Sequence, residues 1–156
     1  MKNNKYRHMK FIASILILFL GFTSFSQIHD PVKWTTSVQK ISDIEYELSA
    51  NAKIEEGWHL YSQNVPEDGP IATSFLFRGT SDFLKKGNTK EGKGHETYDK
   101  VFEMSIKYFD KQAIFKQRII IKNSNPFKIK GFVEFMVCND TQCLPPKEVE
   151  LTFSIQ

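Results

Sequence analysis

The sequence predicts a single all-β domain, a β-sandwich, placed behind an export signal. Three observations carry this. Several short stretches after the N-terminal apolar run alternate apolar and polar residues with a period of two, the pattern of half-buried strands. Clusters of Gly, Pro, Asn and Asp separate those stretches. No segment after that run repeats apolar residues at helical spacing. About seven or eight short strands in one domain suit a sandwich, although the same periodicity would suit a barrel.

The elements follow in order. Lys2, Lys5, Arg7 and Lys10 precede an apolar run from Phe11 to Phe25. Small residues at Ser24 and Ser26 occupy the positions a signal peptidase reads, so residues 1–26 are expected to be a signal peptide cut before Gln27. The run is short for a membrane span. No cysteine follows it to accept a lipid. The mature domain is then residues 27–156, in the periplasm or another exported space where disulfides persist. The full chain carries 21 Lys+Arg against 18 Asp+Glu. Four of the basic residues and none of the acids lie in the signal, which leaves 17 against 18, a net charge of −1. That balance gives no footprint for nucleic acid or for an anionic membrane.

Within the domain, Trp34 to Ile41 is the first expected strand. Ile44, Tyr46, Leu48, Ala50, Ala52 and Ile54 form the second by strict alternation. Glu55-Glu56-Gly57 turns the chain. Asn64 to Pro70 and Lys85 to Lys100 are polar, Gly- or Pro-containing stretches expected to be long surface loops, the usual place for function on a β scaffold. Thr73 to Phe77, Ala113 to Ile121 and Phe127 to Val137 are further strands. Glu134 shares a face with Phe132 and Met136 in a strict strand, so either that face is partly wet or a bulge intervenes. Val149, Leu151, Phe153 and Ile155 alternate in the last strand. Pro145 and Pro146 lack N–H donors and should delay its pairing until Lys147.

The two cysteines of the chain, Cys138 and Cys143, are the chemical focus. A disulfide between them closes a ring of only six residues and restricts the unfolded chain by roughly 2 kcal/mol. A staple gains more by joining distant strands, so redox exchange is the leading expectation and a static disulfide the competing one. Exchange needs a thiolate, and a free cysteine of pKa near 8.5 supplies only a few per cent of it at neutral pH. His59 or the Tyr61 hydroxyl would assist if they lay beside the pair, and Asp140 would oppose. Trp58 and Tyr61 are residue types more often found in core or rim packing than in function. Two thiolates with His59 and His95 would number four metal ligands, but their spacing matches no metal motif, and no metal or other cofactor is expected. Asn139-Asp140-Thr141 matches a glycosylation sequon and is taken as coincidence, since it lies inside the cysteine ring.

Gly57-Trp58-His59-Leu60-Tyr61-Ser62, then Gly69-Pro70-Ile71-Ala72-Thr73, then Cys138 through Pro146, taken in this order, resemble the N-terminal periplasmic domain of DsbD, the disulfide bond corrector family. The resemblance runs from about Trp34 to Ile155. It implies an immunoglobulin-like sandwich with one reactive cysteine pair that receives electrons from a membrane-embedded module. The pair then reduces thioredoxin-like or isomerase-like exported thiol proteins. It implies that Cys143 forms the mixed disulfide with a partner and that Cys138 resolves it. Leu144 and Pro145 would lie in the docking surface. It places a capping loop near Asp99-Lys100-Val101-Phe102, with Phe102 as the aromatic cap, and puts His59 and Tyr61 at the aromatic pair beside the cysteines. Two local features depart from the family's best-known members. The spacer of four residues between the cysteines is shorter, and His59 stands where they carry tyrosine. The chain also ends at Gln156 without a membrane or thioredoxin-like module, so the expectation is a stand-alone monomeric domain with a separate electron donor. The competing class is a non-catalytic exported binding module, in which loss of both cysteines would leave activity intact.

Overall fold

The structure, a computed structural model, describes residues 29–156. The expected signal at 1–26 and its cleavage before Gln27 lie outside the described residues. The described chain has eleven strands. They are β1 (Val32–Lys40), β2 (Glu45–Ile54), β3 (His59–Tyr61), β4 (Ser74–Phe77), β5 (Phe83–Glu91) and β6 (His95–Asp99), followed by β7 (Met104–Phe109), β8 (Gln112–Ile121), β9 (Phe127–Phe135), β10 (Val137–Cys138) and β11 (Lys147–Ile155). All pairings are antiparallel. They form three sheets, in the orders β1-β2-β8-β5, β11-β9-β4 and β10-β3-β7-β6. The architecture is the expected all-β, immunoglobulin-like sandwich rather than a closed barrel.

Alternation builds the core. Leu48, Ala50, Ala52 and Ile54 on β2 and Ala113, Phe115 and Ile119 on β8 meet Ile129, Val133 and Phe135 on β9 and Leu151, Phe153 and Ile155 on β11. Each large side chain buried in this way contributes about 1.5–3 kcal/mol. Trp34 of β1 is lodged among Phe75, Phe115 and Phe135, with ring centroids 5.4–6.0 Å away. The Thr36 hydroxyl donates to the Thr152 carbonyl at 2.7 Å and ties β1 to β11. Gly131 on β9 leaves room for the Phe77 ring, which would lie 2.6 Å from any Cβ there.

The structure corrects two sequence expectations. Lys85 to Lys100 is not a long loop: it contains most of β5 and all of β6. Both are edge strands, β5 at the end of the sheet β1-β2-β8-β5 and β6 at the end of the sheet β10-β3-β7-β6. Edge strands are commonly kept polar and lysine-rich to discourage pairing with other chains, so no apolar alternation marked them. A bulge between Lys86 and Lys90, with Gly87 at φ 66°, interrupts β5 further. The buried Gln117 amide on β8 spans that bulge, donating to the carbonyls of Lys86 and Gly87 and accepting from the Thr89 hydroxyl. The strand count also exceeds the expected seven or eight, because β3 and β10 are too short to show a period.

Other details follow the sequence. β11 starts at Lys147, directly after the two prolines. The Phe127 to Val137 stretch breaks at Met136, where the chain leaves β9 and enters β10 in a different sheet. Phe132 and Met136 are half-buried and Glu134 is exposed, so their shared face is partly wet.

Candidate functional site

The sheet β10-β3-β7-β6 has two faces with separate tasks. Val137, Leu60 and Phe109 lie in register across β10, β3 and β7 and belong to the main core. Period-two alternation sends their neighbours to the other face. There Cys138, Tyr61 and Ile106 form a second buried cluster, bordered by Val65, Phe102, Met104, Tyr108, Met136 and Cys143. The cysteines are therefore outside the main core although their strand contributes to it.

Cys138 and Cys143 are joined as a disulfide across a narrow antiparallel bridge, with Cα atoms 4.0 Å apart. The Asn139 amide donates to the Gln142 carbonyl and the Leu144 amide to the Val137 carbonyl, both at 2.9 Å, on either side of the bridge. The Asn139 side chain shapes the intervening turn: its Oδ1 accepts from the Thr141 amide and hydroxyl and from the Gln142 amide. The sequon match thus coincides with an Asx-type turn, a motif that Asn favours because its side chain mimics a backbone acceptor. Cys138 is fully buried and Cys143 half-buried.

His59 is the residue of β3 directly opposite Cys138. Its Nε2 lies 3.3 Å from the Tyr61 hydroxyl oxygen. That hydroxyl donates to Asp99 Oδ2 at 2.7 Å, and Asp99 Oδ2 is also 3.6 Å from His59 Nε2. The other oxygen, Asp99 Oδ1, accepts from the amides of Val101 at 2.8 Å and Phe102 at 3.2 Å. Asp99 ends β6, Met104 opposite it begins β7, and the four residues between them make a tight loop closed by Glu103 at φ 54°. Phe102 leaves this loop to meet Tyr61 edge-on, ring centroids 5.8 Å apart. Tyr108 of β7 packs on the His59 ring at 4.6 Å.

Burial alone would raise the Asp99 carboxyl, but the Tyr61 hydroxyl and the two loop amides outweigh it and hold the pKa below the ordinary carboxylate value. Burial pushes the His59 imidazole below the ordinary histidine value against the opposing pull of Asp99 and Asp140. Burial, reinforced by Asp99, raises the Tyr61 phenol far above the ordinary tyrosine value. At neutral pH the site therefore holds a neutral imidazole, a neutral phenol and a carboxylate. A small cleft between the β6–β7 loop and the cysteine turn is lined by His59, Asp99, Lys100, Tyr108 and Asp140, among others.

The sequence-derived residues Cys138, Cys143, His59, Tyr61, Asp99 and Phe102 are thus brought together. Leu144, beside the ring, is half-buried against the main core and Pro145 is exposed. His95 lies elsewhere, on exposed β6, with Nε2 3.1 Å from Asp110. Among the described residues no group of three or more His, Cys, Asp or Glu is arranged to hold a metal ion. Sequence reasoning missed Tyr108 as a wall of the site, since nothing distinguishes it locally from any strand aromatic. It also missed the role of Asn139, which the Asn-x-Thr pattern in a turn could have signalled.

No curated protein matches by sequence. Among solved structures, the reduced N-terminal domain of DsbD from Neisseria meningitidis is similar at 15% identity and a TM-score of 0.45, covering 78% of this chain and 84% of that one. The N-terminal periplasmic domain of ScsB from Proteus mirabilis is similar at 14% identity and a TM-score of 0.52, over 78% of this chain and 44% of that one, which shows a shared fold. The family model described as thiol:disulfide interchange protein DsbD, N-terminal, matches residues 31–154, nearly all of the described chain, and the chain belongs to that family.

Proposed function

We propose that the chain is an exported thiol–disulfide interchange domain that passes reducing equivalents through Cys138 and Cys143 to oxidised thiol proteins outside the cytoplasm. The carrying observation is the placement of the pair. The disulfide closes a short ring on the face of a sheet turned away from the main core, beside an imidazole, a phenol and a carboxylate. A staple would be expected between core strands, where it restrains more chain. Family membership supports the same chemistry.

In this reading the mature protein is residues 27–156. The reduced pair attacks a partner disulfide through Cys143, the half-buried sulfur, and Cys138, the buried one, resolves the mixed disulfide. Phe102 shields the pair at rest, and Asp99 holds the loop that carries it. Leu144 and Pro145 form the rim on which a thioredoxin-like or isomerase-like partner settles. A separate membrane-embedded donor returns electrons to the pair.

The test is trapping. A mixed disulfide is short-lived while a second thiol stands within reach, so removing that thiol preserves it. Cys138→Ala, mixed with oxidised thioredoxin-like exported proteins, should accumulate a covalent complex through Cys143 on a non-reducing gel, and Cys143→Ala should accumulate little. Absence of any complex from either variant, with the remaining thiol reactive, would favour a binding module with a structural disulfide.

A further inference from the structure

We propose that His59 is the base for the pair: its Nδ1 takes the proton from the Cys138 thiol as that sulfur attacks, with Tyr61 and Asp99 fixing the imidazole in the tautomer that makes this possible. The inference rests on the exchange reading above, in which Cys138 resolves.

The tautomer follows from the hydrogen bonds. The Tyr61 hydroxyl has one proton, and it goes to Asp99 Oδ2 at 2.7 Å. Its oxygen then accepts, and the neighbour within reach is His59 Nε2 at 3.3 Å, so Nε2 carries the hydrogen. A neutral imidazole has one N–H, which leaves Nδ1 with its lone pair. Nδ1 has no hydrogen-bond partner among the described residues. Directly opposite residues on antiparallel strands hold their Cβ atoms about 4.5–5.5 Å apart, and the residue opposite His59 is Cys138.

Burial helps keep the imidazole neutral and available at neutral pH. The groups that face it explain why a base is needed. Asp99 comes from β6, Asp140 from the cysteine turn, and the neutral phenols of Tyr61 and Tyr108 from β3 and β7, with Lys100 as a cation across the cleft. Two carboxylates and a buried sulfur disfavour a free thiolate at Cys138. Passing the proton to Nδ1 as the sulfur attacks avoids forming that thiolate in advance.

The balance is as follows. Cys143 thiolate attacks a partner disulfide, forms the mixed disulfide and releases one partner thiolate. Cys138 S–H then gives its proton to His59 Nδ1 while its sulfur bonds to Cys143 Sγ. The mixed bond breaks and the second partner thiolate leaves, taking a proton from the imidazolium or from water. The pair is oxidised by two electrons and the partner disulfide is reduced by the same two.

The test uses the reduced domain with the aromatic disulfide dithiobisnitrobenzoate, which releases one coloured thiolate when Cys143 attacks and a second when Cys138 resolves. Stopped-flow absorbance separates the two phases across neutral pH. In the wild-type protein the second phase should rise with an apparent pKa at or below the histidine range. A free thiol near pKa 8.5 is only about 3% ionised at pH 7, so a base can gain at most about thirtyfold. His59→Gln, which keeps a donor for Tyr61, should slow the second phase about tenfold relative to the first at pH 7 and move its rise into the free-thiol range. His59→Asn, checked for cooperative unfolding, should do the same. A second phase with unchanged rate and pH profile in both variants would overturn the proposal, as would equal slowing of both phases, which marks a general loss of structure. A wild-type protein lacking a second phase would instead overturn the exchange reading itself.

Discussion

The carboxylate of Asp99 accepts from three donors on two elements, the Tyr61 hydroxyl of β3 and the amides of Val101 and Phe102 in the β6–β7 loop. Charge-assisted bonds of this kind to a buried group are worth about 1.5–3 kcal/mol apiece, and removal of the acceptor leaves the donors unpaired. Asp99→Ala should therefore lower stability by about 2–3 kcal/mol in urea unfolding and release the loop that carries Phe102. The freed loop should expose the pair, so its reduction by a small dithiol should also accelerate. Phe102→Ala should produce the acceleration with a smaller stability loss, since it removes the aromatic cover and leaves the Asp99 bonds in place. An unchanged reduction rate in Phe102→Ala would mean that the loop is no cap. The titration of the site has a definite sign. Both His59 and Asp99 have folded-state pKa values below their ordinary ones, so the unfolded chain binds protons first as pH falls. Their stabilising contribution is complete above the unfolded values. The His59 part is lost as pH falls below about 6.5, and the Asp99 part below about 4. The urea midpoint should drop between neutral pH and pH 5, and His59→Gln should flatten that part of the profile.

At the scale of elements, what the sequence revealed depended on how each strand is buried. β2 and β11 keep an apolar face in the core and a polar face away from it, so Leu48 to Ile54 and Leu151 to Ile155 announced themselves by alternation. β5 and β6 are edges with little buried surface: Phe83 is the buried residue of one and Asp99 of the other, and both strands were taken for loop. β3 and β10 have three and two residues, too few for a period, and the resemblance in Gly57 to Ser62 located what periodicity missed. The candidate site was legible in part for the same reason: Cys138, Cys143, His59 and Tyr61 sit in the motifs that carry the resemblance and Asp99 and Phe102 were placed by the capping loop it implies, whereas Tyr108 enters through a register of β7 that no local pattern encodes. Packing between elements supplies its own prediction. Gly131 faces Phe77 of β4 and Leu151 of β11 in register, and a Cβ there would stand 2.6–2.7 Å from the Phe77 ring. Since the ring is held in the core, Gly131→Ala should cost about 1–3 kcal/mol through forced displacement. Phe77→Leu in the Gly131→Ala background should recover part of that loss, which a double-mutant cycle of unfolding free energies would measure.

For the whole molecule, the decisive relation is between the disulfide and the core. Among the described residues, the 22 buried members of the main cluster include neither cysteine, and all but Trp58 come from strands, with all three sheets represented. The second cluster, which includes Cys138, has three buried members and takes its remaining cover from half-buried residues of β7 and of the loops around it. A disulfide placed in this way can open without loosening the sandwich. The chain-entropy estimate for a six-residue ring puts the loss on reduction at roughly 2 kcal/mol at most. The turn is also held independently of the sulfurs, by the Asn139 side chain and by the two backbone bonds beside the bridge. The reduced protein should then unfold in a single cooperative transition, with an unchanged denaturant slope and a midpoint lowered in proportion to that loss, because the slope reports the surface exposed and the core stays intact. The Cys138→Ala, Cys143→Ala double variant should behave in the same way in unfolding while losing all exchange with disulfide reagents. A reduced form with a shallow, non-cooperative transition would place the disulfide among the supports of the fold, and the pair would then be a staple.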